Sequence, residues 1–178
     1  RFSPTLRFIG VGGLMYTASS VQGSFEALRS VNAVTHFTHY TVAHAHLGLY
    51  GFVSFVFFGA IYFTMPRITA REWPFPWLIT AHFWLVAIGF AVYFVSLTTA
   101  GWLQGQAMLD AARPFMESVT VTLPWLKGRS VGGALMVAGH LAFAAHFVLL
   151  VLNAGPQREK PALFRRPFGQ IVENEAAG

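Results

Sequence analysis

The chain is divided by long stretches that contain no Asp, Glu, Lys or Arg. None occurs between Arg7 and Glu26, from Ser30 to Pro66, from Trp73 to Leu109, or from Ser130 to Gln157. Soluble folds scatter charge over every surface element, and about a quarter of their residues are charged. Here 11% are charged and 54% are hydrophobic. About 20 consecutive apolar residues cross the hydrocarbon core of a bilayer as a helix. The pattern therefore predicts an all-α fold, a polytopic transmembrane helix bundle with four helices at about 5–23, 41–65, 75–103 and 130–153. The first is the most polar, because Thr17, Ser19, Ser20 and Gln22 fall in its second half. A large soluble all-α protein with buried helices fits four such runs in 178 residues poorly.

The first segment lacks a clear small-residue cleavage site, and three more apolar spans follow it, so it does not read as a signal peptide. The chain begins with Arg1 rather than Met, which reads as a piece of something longer. Residues 1–154 form the expected transmembrane part, and 155–178 a polar, basic tail. Four crossings put the N-terminus, the loop 66–74 and the tail on one side. That side carries Arg1, Arg7, Arg67, Arg71, Arg158, Lys160, Arg165 and Arg166, and the other carries Arg29, Arg113, Lys127 and Arg129. The excess of basic residues predicts a cytoplasmic tail. The sequence pI near 10.1 is then mostly a topology signal. No nucleic-acid partner is expected, because the basic residues sit at helix ends rather than on one folded face. Pro66 and Pro74 bracket the second loop, and the loop 104–129 has room for a short surface helix.

With no cysteine in the sequence, disulfide, thiolate-zinc, iron–sulfur and thiol chemistry are excluded for this chain. Histidine remains. Seven occur, four of them in the stretch Thr35 to Gly48: His36, His39, His44 and His46. Titratable or ligating groups inside a membrane are costly and usually functional. On a strand, His44 and His46 would share a face and could grip one metal. On a helix they stand about 200° apart and cannot. The long apolar run argues for a helix, and neutral imidazole is an axial ligand for haem iron. The arrangement suits one helix wedged between two haems, with the small residues Ala43, Ala45 and Gly48 leaving room for flat macrocycles. Packed core histidines bonded to backbone carbonyls are the competing reading.

These residues resemble the catalytic subunit I of the haem–copper oxygen reductase superfamily, in particular the cbb3-type cytochrome c oxidases. The block reads Arg29-Ser30-Val31-Asn32, then Thr35-His36-Phe37-Thr38, then His44-Ala45-His46. Further matches are Gly59-Ala60-Ile61-Tyr62 with Pro66-Arg67, His82-Phe83-Trp84, Ala100-Gly101 with Gln104-Gly105, and Arg129 with Gly132-Gly133. The likeness runs over about 5–153 and implies helices IX–XII of about twelve. The resemblance also implies the cofactors, two b-type haems. His44 would be the axial ligand of the high-spin haem, His46 an axial ligand of the low-spin haem, and His36 would lie near the propionates. His39 stands where an Asp is common, which leaves the role of that position open.

The implied activity is reduction of O2 to water with electrons from cytochrome c, coupled to proton translocation, in the bacterial inner (plasma) membrane. Its partners would be the rest of subunit I, cytochrome c-type haem subunits and the lipid bilayer. The implied copper B would be held by histidines that cannot be placed in this chain, so the piece is not expected to be active alone. Nitric oxide reductases carry a similar Thr-His-x-Thr and Ala-His-x-His-Leu block and are the alternative. A membrane scaffold with structural histidines is the other. His140 and His146 read as packing or interhelical hydrogen bonds, and His82 as either structural or part of the haem surroundings. Asp110, Glu117 and Glu26 are expected in loops, so no proton relay is assigned to them.

Overall fold

The computed structural model describes residues 3–157. It is all-α apart from one isolated β-bridge between Arg71 and Gln157. The helices are α1 (Pro4–Glu26), α2 (Arg29–Thr35), α3 (His39–His46), α4 (Phe55–Thr69), α5 (Pro76–Leu109), α6 (Phe115–Thr120) and α7 (Leu123–Val151). Between α3 and α4 the backbone winds as a π-helix over Leu47–Ser54. The three pieces make one continuous helix, His39–Thr69, called the central helix below.

Local chemistry sets the boundaries. Pro4, Pro76 and Pro124 occupy first turns, where a missing N–H costs nothing. The Thr38 hydroxyl accepts from the Tyr40 N–H at 3.2 Å and caps α3. Ala70 ends α4 with φ 51°, in the left-handed region that usually takes Gly.

Pro66 does not end α4 where the sequence predicts, near residue 65; the helix continues to Thr69. An internal proline frees the carbonyl four residues earlier. That carbonyl belongs to Tyr62, and the Trp73 indole N–H donates to it at 3.0 Å.

Among the described residues, three helical stretches are long and apolar enough to cross a membrane: His39–Thr69, Pro76–Leu109 and Phe115–Val151. The sequence predicts four. The first segment is a 23-residue helix, but its hydroxyls and Gln22 lower its hydropathy below the other three. Thr17, Ser20 and Ser24 each donate to the carbonyl four residues back, so α1 satisfies these groups internally. The third and fourth helices are also longer than the sequence suggests. The expected loop 104–129 shrinks, because α5 runs to Leu109 and α7 starts at Leu123, with α6 between them.

The central helix lies between α1 and α5, and α7 packs along α5. The shared core contains Phe8, Phe55, Tyr62, Trp73, Phe83 and Leu150. Leu14, Leu49, Trp84, Val137 and Leu141 point outward and are exposed.

At one end, Glu72 N–H donates to the Pro156 carbonyl at 3.0 Å, and the Arg71 guanidinium donates to the carbonyls of Asn153 and Gly155 at 3.1 and 2.9 Å. The loop after α4 and the root of the tail therefore share one end of the bundle. The tail beyond Gln157 lies outside the described residues.

Candidate functional site

The site is built at the first two turns of the central helix. His44 and His46 both lie in α3, so about 200° separates them around the axis. The structure turns them to different neighbours. His44 faces α1: a Cβ added at Gly23 would lie 3.0 Å from its Cε1. Its Nδ1 lies 3.7 Å from the Glu26 carboxylate, an ion-pair distance too long for a hydrogen bond. His46 faces α5: its Nε2 is 3.3 Å from the Tyr93 hydroxyl, and the two rings are 5.2 Å apart.

The bonding around His46 fixes its tautomer. Its Nδ1 is 2.8 Å from the Val42 carbonyl, which can only accept. Nδ1 therefore carries the proton, and Nε2 keeps a lone pair that the Tyr93 hydroxyl now donates to. This is the donor chemistry an axial haem ligand needs: neutral imidazole, oriented by its second nitrogen. A metal ligated there would take the place of the Tyr93 hydrogen bond.

His44 lines a cavity of about 460 Å³ between α1 and the central helix, with Tyr16, Ser19, Gly23, Gly48 and Phe52. Ser19, Gly23 and Gly48 are the small residues of its lining. His44 Nδ1 and Glu26 Oε1 are buried without a hydrogen-bond partner, so the pair has unused bonding capacity.

His36 sits outside this pair. It lies on the turn between α2 and α3, exposed, with its ring 3.9 Å from that of Phe37. Phe37 is itself left-handed, at φ 61°. The turn is held from below by Thr35 and Thr38, both buried, and His39 N–H donates to Gln104 on α5 at 3.1 Å. Among the described residues no group of three or more His, Cys, Asp or Glu is arranged to hold a metal ion.

The other histidines take the interhelical role expected of His140 and His146, and His82 joins them. His82 Nδ1 meets the Tyr62 hydroxyl at 2.9 Å, and His140 Nε2 meets the Tyr50 hydroxyl at 3.0 Å. His146 Nε2 accepts from the Phe75 N–H at 3.4 Å.

Sequence reasoning misses three features. Glu26 is the last residue of α1 rather than a loop residue, which aims it at His44; its position at the end of a charge-free run was the available signal. Tyr93 has no motif around it. The π-helix directly after His46 has no local sequence signature, although such segments occur frequently at functional sites.

Similarity to known proteins extends over most of the chain. The family model described as Cytochrome C and Quinol oxidase polypeptide I matches residues 2–135. The Cbb3-type cytochrome c oxidase subunit CcoN1 of Stutzerimonas stutzeri is 36% identical over 163 residues, covering 88% of this chain and 34% of the relative. A nitric oxide reductase subunit of the same organism is 27% identical over 147 residues, covering 78% and 31%. A solved haem–copper terminal oxidase dimer has the same fold, with a TM-score of 0.67, 19% identity, and coverage of 90% of this chain and 28% of that one. The chain thus spans about a third of the length of these relatives.

Proposed function

Since the chain belongs to the cytochrome c and quinol oxidase polypeptide I family, we propose that it is the part of a cbb3-type oxidase catalytic subunit that ligates both haems from one helix. The supporting observation is the division of His44 and His46 between α1 and α5, with His46 Nε2 held as a lone-pair donor by the Val42 carbonyl. The cbb3-type reading is further supported by 36% identity to that subunit, against 27% to the nitric oxide reductase.

His44 is proposed as the axial ligand of the high-spin haem and His46 of the low-spin haem, with His36 near the propionates. Held by His44 and His46, the haems would supply the one-electron redox chemistry for reduction of O2 to water with electrons from cytochrome c, beside a copper held by other parts of the subunit. The chain's own residues set the geometry. Val42 orients His46. Glu26 is placed to accept from His44 Nδ1–H once Nε2 is engaged, which would raise the basicity of that ligand. Gly23 keeps the wall of α1 back from the His44 ring. The four-crossing arrangement, with α1 as a span and the tail in the bacterial cytoplasm, belongs to the same proposal, as do the rest of subunit I and the cytochrome c-type subunits as partners.

The test is replacement of His44 and His46 by Ala in the complete subunit, followed by reduced-minus-oxidised spectra. His44→Ala should lose the high-spin signal and His46→Ala the low-spin signal. Unchanged spectra in both variants would refute the assignment.

A further inference from the structure

The two imidazoles of the central helix differ in a way that helical geometry does not require. His44 Nδ1 has no hydrogen-bond partner, and the ring lines an open cavity. At His46 both nitrogens are engaged: Nδ1 by the Val42 carbonyl at 2.8 Å, and Nε2 by the Tyr93 hydroxyl at 3.3 Å. Nε2 is the atom with the lone pair, so a side chain of the protein itself occupies the position that a metal would take.

Tyr93 is placed for this by α7. A Cβ added at Gly132 would lie 2.7 Å from the Tyr93 nitrogen and 3.0 Å from its Cβ. The bare backbone of α7 therefore backs directly onto Tyr93, which cannot retreat as a unit. Its ring can still turn, because a long side chain on a helix has two staggered χ1 positions. Tyr93 is half-buried and His46 is exposed, so the hydroxyl is not walled in. Packing alone does not need that hydroxyl: α5 presents Phe at positions 90 and 94, on either side of it in sequence. The bond is also long, since hydroxyl hydrogen bonds are commonest near about 2.8 Å. It is strong enough to hold the lone pair and weak enough to be exchanged.

We propose that Tyr93 is the haem-free partner of His46 and sets the affinity of the low-spin site, which takes up its cofactor only as the Tyr93 hydroxyl releases Nε2. The proposal rests on the reading of His46 as a haem ligand. In the exchange the O–H···N bond breaks and a bond from Nε2 to iron replaces it. No proton is transferred, because the ring proton already sits on Nδ1 and the hydroxyl keeps its own. A single hydrogen bond of this kind favours the held form by about two- to tenfold. Only the fraction of chains with Nε2 free is competent to bind, so the apparent affinity falls by the same factor. His44 has no such competitor, so the two sites differ in readiness before any cofactor arrives.

The experiment uses the complete subunit, purified in detergent from haem-limited cells and titrated with haem b, with wild type and Tyr93→Phe compared by their low-spin and high-spin bands. Tyr93→Phe keeps the ring and removes only the oxygen. Its low-spin band should reach half-saturation at about two- to tenfold less haem, while the high-spin band of the same sample is unmoved. Half-saturation at the same or a higher concentration than wild type overturns the proposal, and so does an equal shift of both bands. Tyr93→Leu, also without a hydroxyl, carries the same expectation and decides if Tyr93→Phe does not assemble. Failure of the haem reading is seen separately, as a low-spin band that survives in His46→Ala.

Discussion

Gly101 is where a one-carbon change should reach the site from outside it. A Cβ at Gly101 would overlap the backbone nitrogen of Tyr40, and one at Gly105 would overlap the Val34 carbonyl. Neither neighbour is the flexible end of a side chain. Ordinary Cβ contacts begin at 3.4 Å, so Gly101→Ala forces the start of α3 away from α5 by roughly an ångström or more. Overpacking of this kind costs about 1–3 kcal/mol, occasionally more. Gly133 provides the control, because nothing lies within 4 Å of its added Cβ. There, Gly→Ala within a helix should stabilise by about 0.5–1 kcal/mol. The two variants should differ by about 1.5–4 kcal/mol. The displacement has a second consequence. His46 lies six residues beyond Tyr40 on the same helix, so a shift of the start of α3 moves its ring as well. The assay is thermal unfolding of the complete complex in detergent, paired with the low-spin haem spectrum. Gly101→Ala should melt lower and shift or weaken the low-spin band, while Gly133→Ala should do neither. Equal melting temperatures and identical spectra would refute the claim that close backbone approach sets the position of α3.

Trp73→Phe should destabilise by about 1–3 kcal/mol, because it strands the Tyr62 carbonyl that Pro66 leaves free. Adding Pro66→Ala should recover part of that loss by restoring a backbone donor, so non-additive unfolding of the double variant is the check. Ala70→Gly should raise the melting temperature by an amount equivalent to about 1 kcal/mol, since Ala70 holds φ 51° at the end of α4; no gain would count against strain there. Gly23→Ala places a methyl 3.0 Å from His44 Cε1 and 3.3 Å from its Nε2. It should therefore perturb the high-spin spectrum and leave the low-spin spectrum alone, and a change confined to the low-spin band would reverse the assignment of faces.

Three of the four expected spans were legible because a bilayer imposes a single rule, but Arg7 and Glu26 lie inside α1 and Lys127 and Arg129 inside α7, so charge alone did not mark those ends. The separation of His44 from His46 was legible for a similar reason, since helical geometry alone turns them apart. What stayed hidden depends on neighbours distant in sequence. Pro66 reads locally as a stop, and only Trp73 folding back to the Tyr62 carbonyl allows the helix to pass it. Glu26 reads as a loop residue until α1 extends far enough to hold it against His44. His82 and His140 have no pattern that names Tyr62 and Tyr50 as partners, because those contacts depend on which helices are adjacent.

Adjacency also bears on the proposal that the central helix serves two sites. It packs against α5 chiefly along α3, and against α1 chiefly along the π-helix and α4. Gly48 faces Ser19 of α1, Gly59 faces Ile9 and Phe8 of α1, and a Cβ at Gly51 would meet both Phe90 of α5 at 2.8 Å and Met15 of α1 at 3.2 Å. Glycines along the α1 seam bring that helix in below, and Gly101 and Gly105 of α5 bring it against α2 and the start of α3, so the rod is held at both levels. Two imidazoles two residues apart then have fixed positions relative to each other, set by the helix. The Gly23 wall of α1 bounds the His44 ring, and the Val42 carbonyl orients the His46 ring. The π-helical stretch begins at Leu47, immediately after the second imidazole, so the change in winding lies below the pair and leaves the α-helical geometry that separates them intact.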